Sequence, residues 1–127
     1  MHAKSKDSIV FFFGDNPFQL KLFKIIRQYI DSIGVSSMKV TKTQISFANK
    51  RQFAWIWIPL ANSKKRPPNS IVLSFSLENQ ITHPKIVEVV EPYRGRNMHH
   101  VIIGKADDFN EKVKSWLSEA YKFAGSK

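Results

Sequence analysis

The sequence predicts an α+β fold: a two-layer sandwich in which an antiparallel sheet of five to six strands carries N-terminal and C-terminal helices on one face. Two observations predict it. Strand-like patterns fill the middle of the chain, and an amphipathic helical pattern stands near each end; helices placed before and after a run of strands are typical of α+β layers. With 127 residues, 43% of them hydrophobic, the chain can bury one core. We therefore expect a single domain over 1–127, with 1–8 a disordered tail.

The predicted centre of the sheet is a hairpin over residues 41–60 with a cationic turn. Residues around Phe47 alternate apolar and polar, as in a strand with one buried face. The next strand is apolar on both faces, and its alternation predicts that Phe53, Trp55 and Trp57 point the same way. Pairing Phe47 with Phe53 would bury the tryptophans in the core. A slip of one residue would put them on the polar face. The sequence does not fix the register, but it favours the core because large exposed apolar patches are uncommon on monomers.

An amphipathic helix is predicted to have Pro17 in its first turn and to end at Gly34, since proline suits a first helical turn and glycine a helix end. Asp15 or Asn16 is its expected N-cap. Residues 9–13 are too few to distinguish a short strand from a helical turn.

The second helix is predicted to open at Asp108, because Asp108 and Glu111 have capping-box spacing, and to stop at Gly125. A proline-rich loop is expected at 62–69. Further strands are predicted at residues 38–43, 71–77, 85–91 and 99–103, with 85–91 at an edge because prolines flank it.

The chain is strongly basic, with a net charge of +10 from 20 basic and 10 acidic residues. Between Asp31 and Glu78 there is no acidic residue. A field of that sign favours polyanions, and the alternative is a solvated surface that only keeps the protein soluble. Cysteine is absent, which fits a cytoplasmic location. No apolar run is long enough for a membrane-spanning helix.

Two clusters and the hairpin supply the candidate binding residues. A turn with Arg94 and Arg96 suits a phosphate or a carboxylate, although salt bridges to nearby glutamates are an equal alternative. His99 and His100 are adjacent on a strand and should face opposite sides, so a metal site is not expected, nor is any cofactor. The anion-binding candidates are Lys42, Gln44, Lys50, Arg51, Trp55, Trp57, Arg94, Arg96, His99 and His100.

Four blocks of the sequence resemble the family known as domain of unknown function 5655. They are KTQISF at 42–47, FAWIWIP at 53–59, GRNMHH at 95–100 and WLSEAY at 116–121, and the resemblance extends over 18–124. It implies no established activity. Some relatives are labelled "predicted transport protein", and related domains occur beside restriction-type nuclease domains, which favours nucleic acid by analogy alone.

The leading hypothesis is a non-catalytic binding module whose basic face takes an anionic partner, most plausibly nucleic acid. No nucleophile elbow, phosphate-binding loop or dinucleotide motif is present. A second hypothesis is a small-ligand or enzymatic pocket, and a third is an oligomer that buries the tryptophans between copies. The pocket would be built from Lys42, Gln44, Trp57, Arg94, Arg96 and either His99 or His100.

Overall fold

The computed structural model describes residues 8–59 and 69–126, with the backbone alone for Tyr93. The described residues form the predicted α+β fold. A helical segment at 8–12 comes first, and a single 3₁₀ turn, Ala106–Asp108, precedes the last helix. The main elements are α1 (Pro17–Ile33), β1 (Ser37–Val40), β2 (Ile45–Ala48), β3 (Gln52–Trp57), β4 (Ile71–Leu77), β5 (Ile86–Tyr93), β6 (Arg96–Ile103) and α2 (Glu111–Gly125).

The six strands form one antiparallel sheet in the order β1-β2-β3-β4-β6-β5. The connection after β4 passes over the position of β6, so that β5 lies at the edge, as its prolines predict. β4 is central and every one of its residues is buried. The alternation of apolar and polar residues in 71–77 predicts a strand with only one buried face, but large side chains on neighbouring strands also cover its second face.

A β-bulge in β3 decides where the aromatic residues of the hairpin point. Phe47 pairs with Ala54 and Ala48 pairs with Gln52, so Phe53 is the extra residue. A bulge breaks the alternation of side chains along a strand. Phe53 consequently joins the core beneath the helices, and the prediction that it shares a face with the tryptophans is wrong.

Trp55 and Trp57 lie on the sheet face opposite the helices. Trp55 is paired with Ser46 on one side and with Ser74 on the other, and Trp57 is paired with Val72. This is the register in which the tryptophans stand beside the polar residues of β2, and the favoured prediction that they join the core beneath the helices is wrong.

Both helices pack on one face of the sheet around a single core. The ring of Phe23 in α1 stacks on Phe47 with centroids 6.5 Å apart. Phe75 lies between His99 and Trp116 of α2, at 5.2 Å and 5.6 Å. Aromatic stacking of this kind fixes the helices as well as burying area.

The helix ends show where local sequence was sufficient. Asn16 is the N-cap of α1, accepting hydrogen bonds from two backbone N–H groups, and Gly34 is its C-cap. The predicted cap of α2 is wrong. Asp108 accepts from the N–H groups of Gly104 and Lys105 instead, and Asn110 caps α2, because the 3₁₀ turn places Asp108 before the helix.

Two predictions fall mainly outside the described residues: the loop at 62–69 and the tail at 1–8. Of that tail the structure describes Ser8, which is helical. No helix within 8–59 and 69–126 is long and apolar enough to cross a membrane.

Candidate functional site: the sheet face opposite the helices

The face of the sheet that the helices leave uncovered is called the open face here. Strand pairing assigns its residues, since directly paired residues point to the same side. A row across the sheet runs from Lys39 through the hairpin to Glu88 on β5. The paired residues of this row are Lys39, Ser46, Trp55, Ser74, His100 and Glu88. Trp57 and Ser76 lie on the same face, two residues along their strands from Trp55 and Ser74.

A chain of hydrogen bonds crosses the centre of the open face. The indole Nε1 of Trp57 donates to Ser74 Oγ at 2.9 Å, and Ser74 Oγ lies 2.5 Å from His100 Nδ1. Because indole is a donor only, Ser74 Oγ accepts the hydrogen bond from Trp57, and it shares a second hydrogen bond with Nδ1 of His100. The rings of Trp57 and His100 also meet edge to face at 5.7 Å.

Ser74 has a structural role in this cluster. Its side chain is 0% exposed and sits in the middle of a central strand, so its hydroxyl is not presented to a substrate. Its two hydrogen bonds hold Trp57 and His100 in fixed orientations on strands that do not pair with each other. This structural role of Ser74 was not predicted from the sequence, although the alternation in 71–77 places Ser74 and Ser76 on one face.

Arg96 lies across one end of the open face. Its Nε donates to Ser76 Oγ at 3.2 Å and its Nη2 donates to the carbonyl of Gln52 at 2.6 Å. The guanidinium carbon is 5.9 Å from the ring centre of Trp55, within cation–π range. Trp55 is only 6% exposed, so Arg96 and Trp57 contribute more accessible surface than Trp55 does.

A comparison with protein-family models identifies the family of this chain. The family model described as a domain of unknown function, DUF5655, matches residues 11–124. The chain belongs to the DUF5655 family. Searches of curated proteins and of solved structures found no match. In this DUF5655 chain the open face draws on two of the blocks that carry the resemblance, since 53–59 holds Trp55 and Trp57 and 95–100 holds Arg96 and His100.

The turns at 49–51 and 94–95 lie at the same end of the DUF5655 sheet, as the bond from Arg96 to Gln52 requires. Lys50 and Arg94 are exposed there. Arg51 is not part of that surface. Its Nη2 donates to the carbonyl of Phe123 at 2.8 Å, and its guanidinium carbon lies 4.8 Å from the centre of that ring.

Lys42 and Gln44 lie at the other end of the hairpin, in the turn between β1 and β2. Thr41 Oγ1 shapes this turn by accepting from the N–H of Gln44 and donating to its carbonyl. The structure therefore does not bring Lys42 and Gln44 together with Arg94 and Arg96, as a pocket built from all four would need.

His99 faces the core, and His100 faces the open side, as strand alternation predicts. His99 is fully buried. Its Nε2 accepts from the N–H of Ile81 at 2.9 Å, while Nδ1 donates to the carbonyl of Asn97 at 3.1 Å. Burial lowers the pKa of His99 below its ordinary value, so this residue is a neutral structural histidine rather than a ligand.

Proposed function

We propose that this DUF5655 domain is a non-catalytic module that binds single-stranded nucleic acid on its open face. One observation carries the proposal. The register of the hairpin puts Trp55 and Trp57 on the face away from the helices, with Arg96 beside Trp55 and His100 beside Trp57. Proteins that bind single strands combine aromatic surfaces, on which bases stack, with cations that contact the backbone.

The distribution of charge supports the same partner. Lys39 is exposed on the edge strand β1 of the open face. Lys50 and Arg94 are exposed in the turns at 49–51 and 94–95, at one end of that face. The strands β1 to β4 come from the acid-free stretch of the sequence. Glu88, an acid on this face, stands on the edge strand β5. A nucleic acid lying across β1 to β4 would thus meet cations.

The first test is binding of a fluorescently labelled oligothymidylate, followed by anisotropy at several salt concentrations. Affinity should fall steeply with salt, with a slope of about 0.7 for each phosphate contacted. Lys39→Gln with Lys50→Gln should weaken binding and lower that slope by about 1.4. The matched control, Lys21→Gln with Lys24→Gln, removes the same charge from exposed positions of α1 and should change the slope little.

Two substitutions of Trp57 separate stacking from folding. Trp57→Phe loses the hydrogen bond to Ser74 but keeps an aromatic face, so it should retain most of the affinity. Trp57→Leu keeps the apolar bulk without that face and should lose about 1–3 kcal/mol of binding free energy per stacked base. Circular dichroism and thermal unfolding would verify that both variants fold.

Several results would contradict the proposal. Binding that ignores salt, or that weakens equally in the α1 control, would mean that the charge acts generally over the surface. A dimer in sedimentation that dissociates on Trp57→Leu would favour the oligomer hypothesis. The proposal also assigns the protein to the cytoplasm, which cell fractionation would check.

A further inference from the structure

A groove lies on the helix side of the molecule, between the helical segment at 8–12 and α1. The two are joined by a tight turn in which Gly14 and Asp15 have φ of 57° and 61°. The turn brings Phe13 against Phe23, with ring centroids 5.6 Å apart. The outer surface where the two helical segments meet remains concave.

The groove has an apolar floor and a charged rim. Its volume is about 420 Å³, within the usual range of small-molecule sites, about 300–1,000 Å³. Ile9 and Phe23 are buried beneath it, and Val10 leaves 37% of its surface exposed. The floor is formed by Ile9, Val10, Leu20 and Phe23, and the rim by Lys24, Arg27, Gln28 and Asp31.

The rim carries one net positive charge, from Lys24 and Arg27 against Asp31. The ion pair from Arg27 Nε to Asp31 Oδ2 is long, at 3.9 Å, and both side chains are well exposed. Such a pair is weak. The guanidinium therefore has donors left for another anion, and its planar fork matches a carboxylate.

We propose that this groove binds a free alkyl carboxylate. The alkyl chain would lie on the floor of Ile9, Val10, Leu20 and Phe23, and the carboxylate would sit between Lys24 and Arg27. An apolar trough with cations at its edge is complementary in shape and charge to a molecule with one apolar tail and one anionic head. The site is on the opposite side of the sheet from the open face, so carboxylate binding here does not depend on nucleic-acid binding there.

The test is amide chemical-shift titration of the folded chain with decanoate, 1-decanol and decyltrimethylammonium, which share a tail and differ in head charge. Decanoate should shift the amides of 8–12 and of α1 around Lys24. It should bind about three- to tenfold more tightly than 1-decanol. The cationic compound should bind more weakly than the alcohol.

Matched variants assign the charge to the rim. Lys24→Gln with Arg27→Gln should remove the preference for decanoate over 1-decanol. Asp31→Asn should strengthen decanoate binding, because it frees Arg27. Lys21→Gln, an exposed position of α1 that does not line the groove, should leave the preference unchanged.

The proposal is overturned if 1-decanol binds as tightly as decanoate, or if Lys21→Gln weakens decanoate binding as much as Lys24→Gln with Arg27→Gln does. It is also overturned if decanoate shifts no amides in 8–12 and α1, or if vesicles of anionic phospholipid bind there while decanoate does not. That last result would indicate a membrane surface as the partner. None of these outcomes depends on Trp57, Lys39 or Lys50, whose variants test the open face.

Discussion

Two neighbouring histidines of β6 show how much the surroundings of a residue decide its role. The ring of His100 is hydrogen-bonded to Ser74 on the open face, whereas His99 is enclosed between Phe75 and the backbone of the segment after β4. The groups that contact the His99 ring, which are the ring of Phe75 and the backbone of Ile81 and Asn97, are uncharged. A proton added at Nε2 would face the N–H of Ile81 and leave a buried cation whose hydrogen bonds are to uncharged backbone carbonyls, which is costly.

We therefore predict that His99 makes the protein sensitive to acid. Burial holds its folded-state pKa below 6.5, so the unfolded chain binds the proton first as the pH falls. The contribution to the free energy of unfolding is complete above about 6.5 and is lost progressively as the pH falls toward the folded-state pKa. Urea unfolding between pH 7.5 and 5, in steps of about half a unit, would measure this loss.

His99→Phe provides the comparison. It keeps a ring against Phe75 but leaves the Ile81 N–H and the Asn97 carbonyl unpaired, so it should cost about 1–3 kcal/mol at neutral pH. Its stability should then depend less on pH than that of the wild type. If the variant keeps the acid sensitivity of the wild type, His99 is not the source.

At the scale of elements, the hairpin turn at 49–51 is fastened to the end of α2. Asn49 Nδ2 donates to the carbonyl of Tyr121 at 3.2 Å, and Arg51 donates to that of Phe123. These bonds reach carbonyls near the end of α2, where the carbonyl of Phe123 also accepts from the N–H and Oγ of Ser126. Cations also interact favourably with the negative end of the helix dipole. The cationic turn thus divides into a structural arginine and an exposed lysine.

This division predicts a difference between two adjacent substitutions. Arg51→Ala should lower the free energy of unfolding by about 1.5–3 kcal/mol, because it removes a hydrogen bond with a charged donor. Lys50→Ala should change it by less than about 0.5 kcal/mol, since that side chain is exposed. Chemical denaturation of both variants is the measurement. Equal effects would refute the structural role of Arg51.

At the scale of the whole molecule, the net charge of +10 means that cations repel one another over a small surface. Self-repulsion of this kind destabilises the compact state relative to the unfolded chain. Salt screens it, because the Debye length falls from about 30 Å at 0.01 M to about 8 Å at 0.15 M. The open face is one part of this field, and the helix side also carries exposed lysines at positions 21 and 24.

We predict that the midpoint of thermal unfolding rises with sodium chloride over that range, by about a few degrees. A variant with glutamine at positions 21, 24, 39 and 50 has its net charge reduced from +10 to +6 by the loss of four cations. Its midpoint should respond less. Differential scanning calorimetry at two salt concentrations compares the proteins, and an equal response would exclude self-repulsion as the cause.

Much of the fold could be predicted because it depends on local pattern. The helix from Pro17 to Gly34 follows from its capping residues and its amphipathic spacing, and the strands follow from alternation. The second helix begins later than predicted, because a 3₁₀ turn takes up Asp108. The candidate site was predicted less completely. Trp57, Arg96 and His100 were identified as candidates, but the hydrogen bonds by which Ser74 holds Trp57 and His100 were not predicted.

The sequence by itself determined the order of the elements, the family, the charge and the opposite orientation of His99 and His100. The element order, the family and the histidine orientation depend on patterns among residues close together in the sequence, and the charge depends on composition alone. Only the tertiary structure decided which face the tryptophans occupy, that Phe53 turns into the core, and that Arg51 binds α2. Strand register depends on pairing between segments, and a shift of one residue exchanges the two faces. Contacts that distant in sequence leave no local pattern from which to predict them.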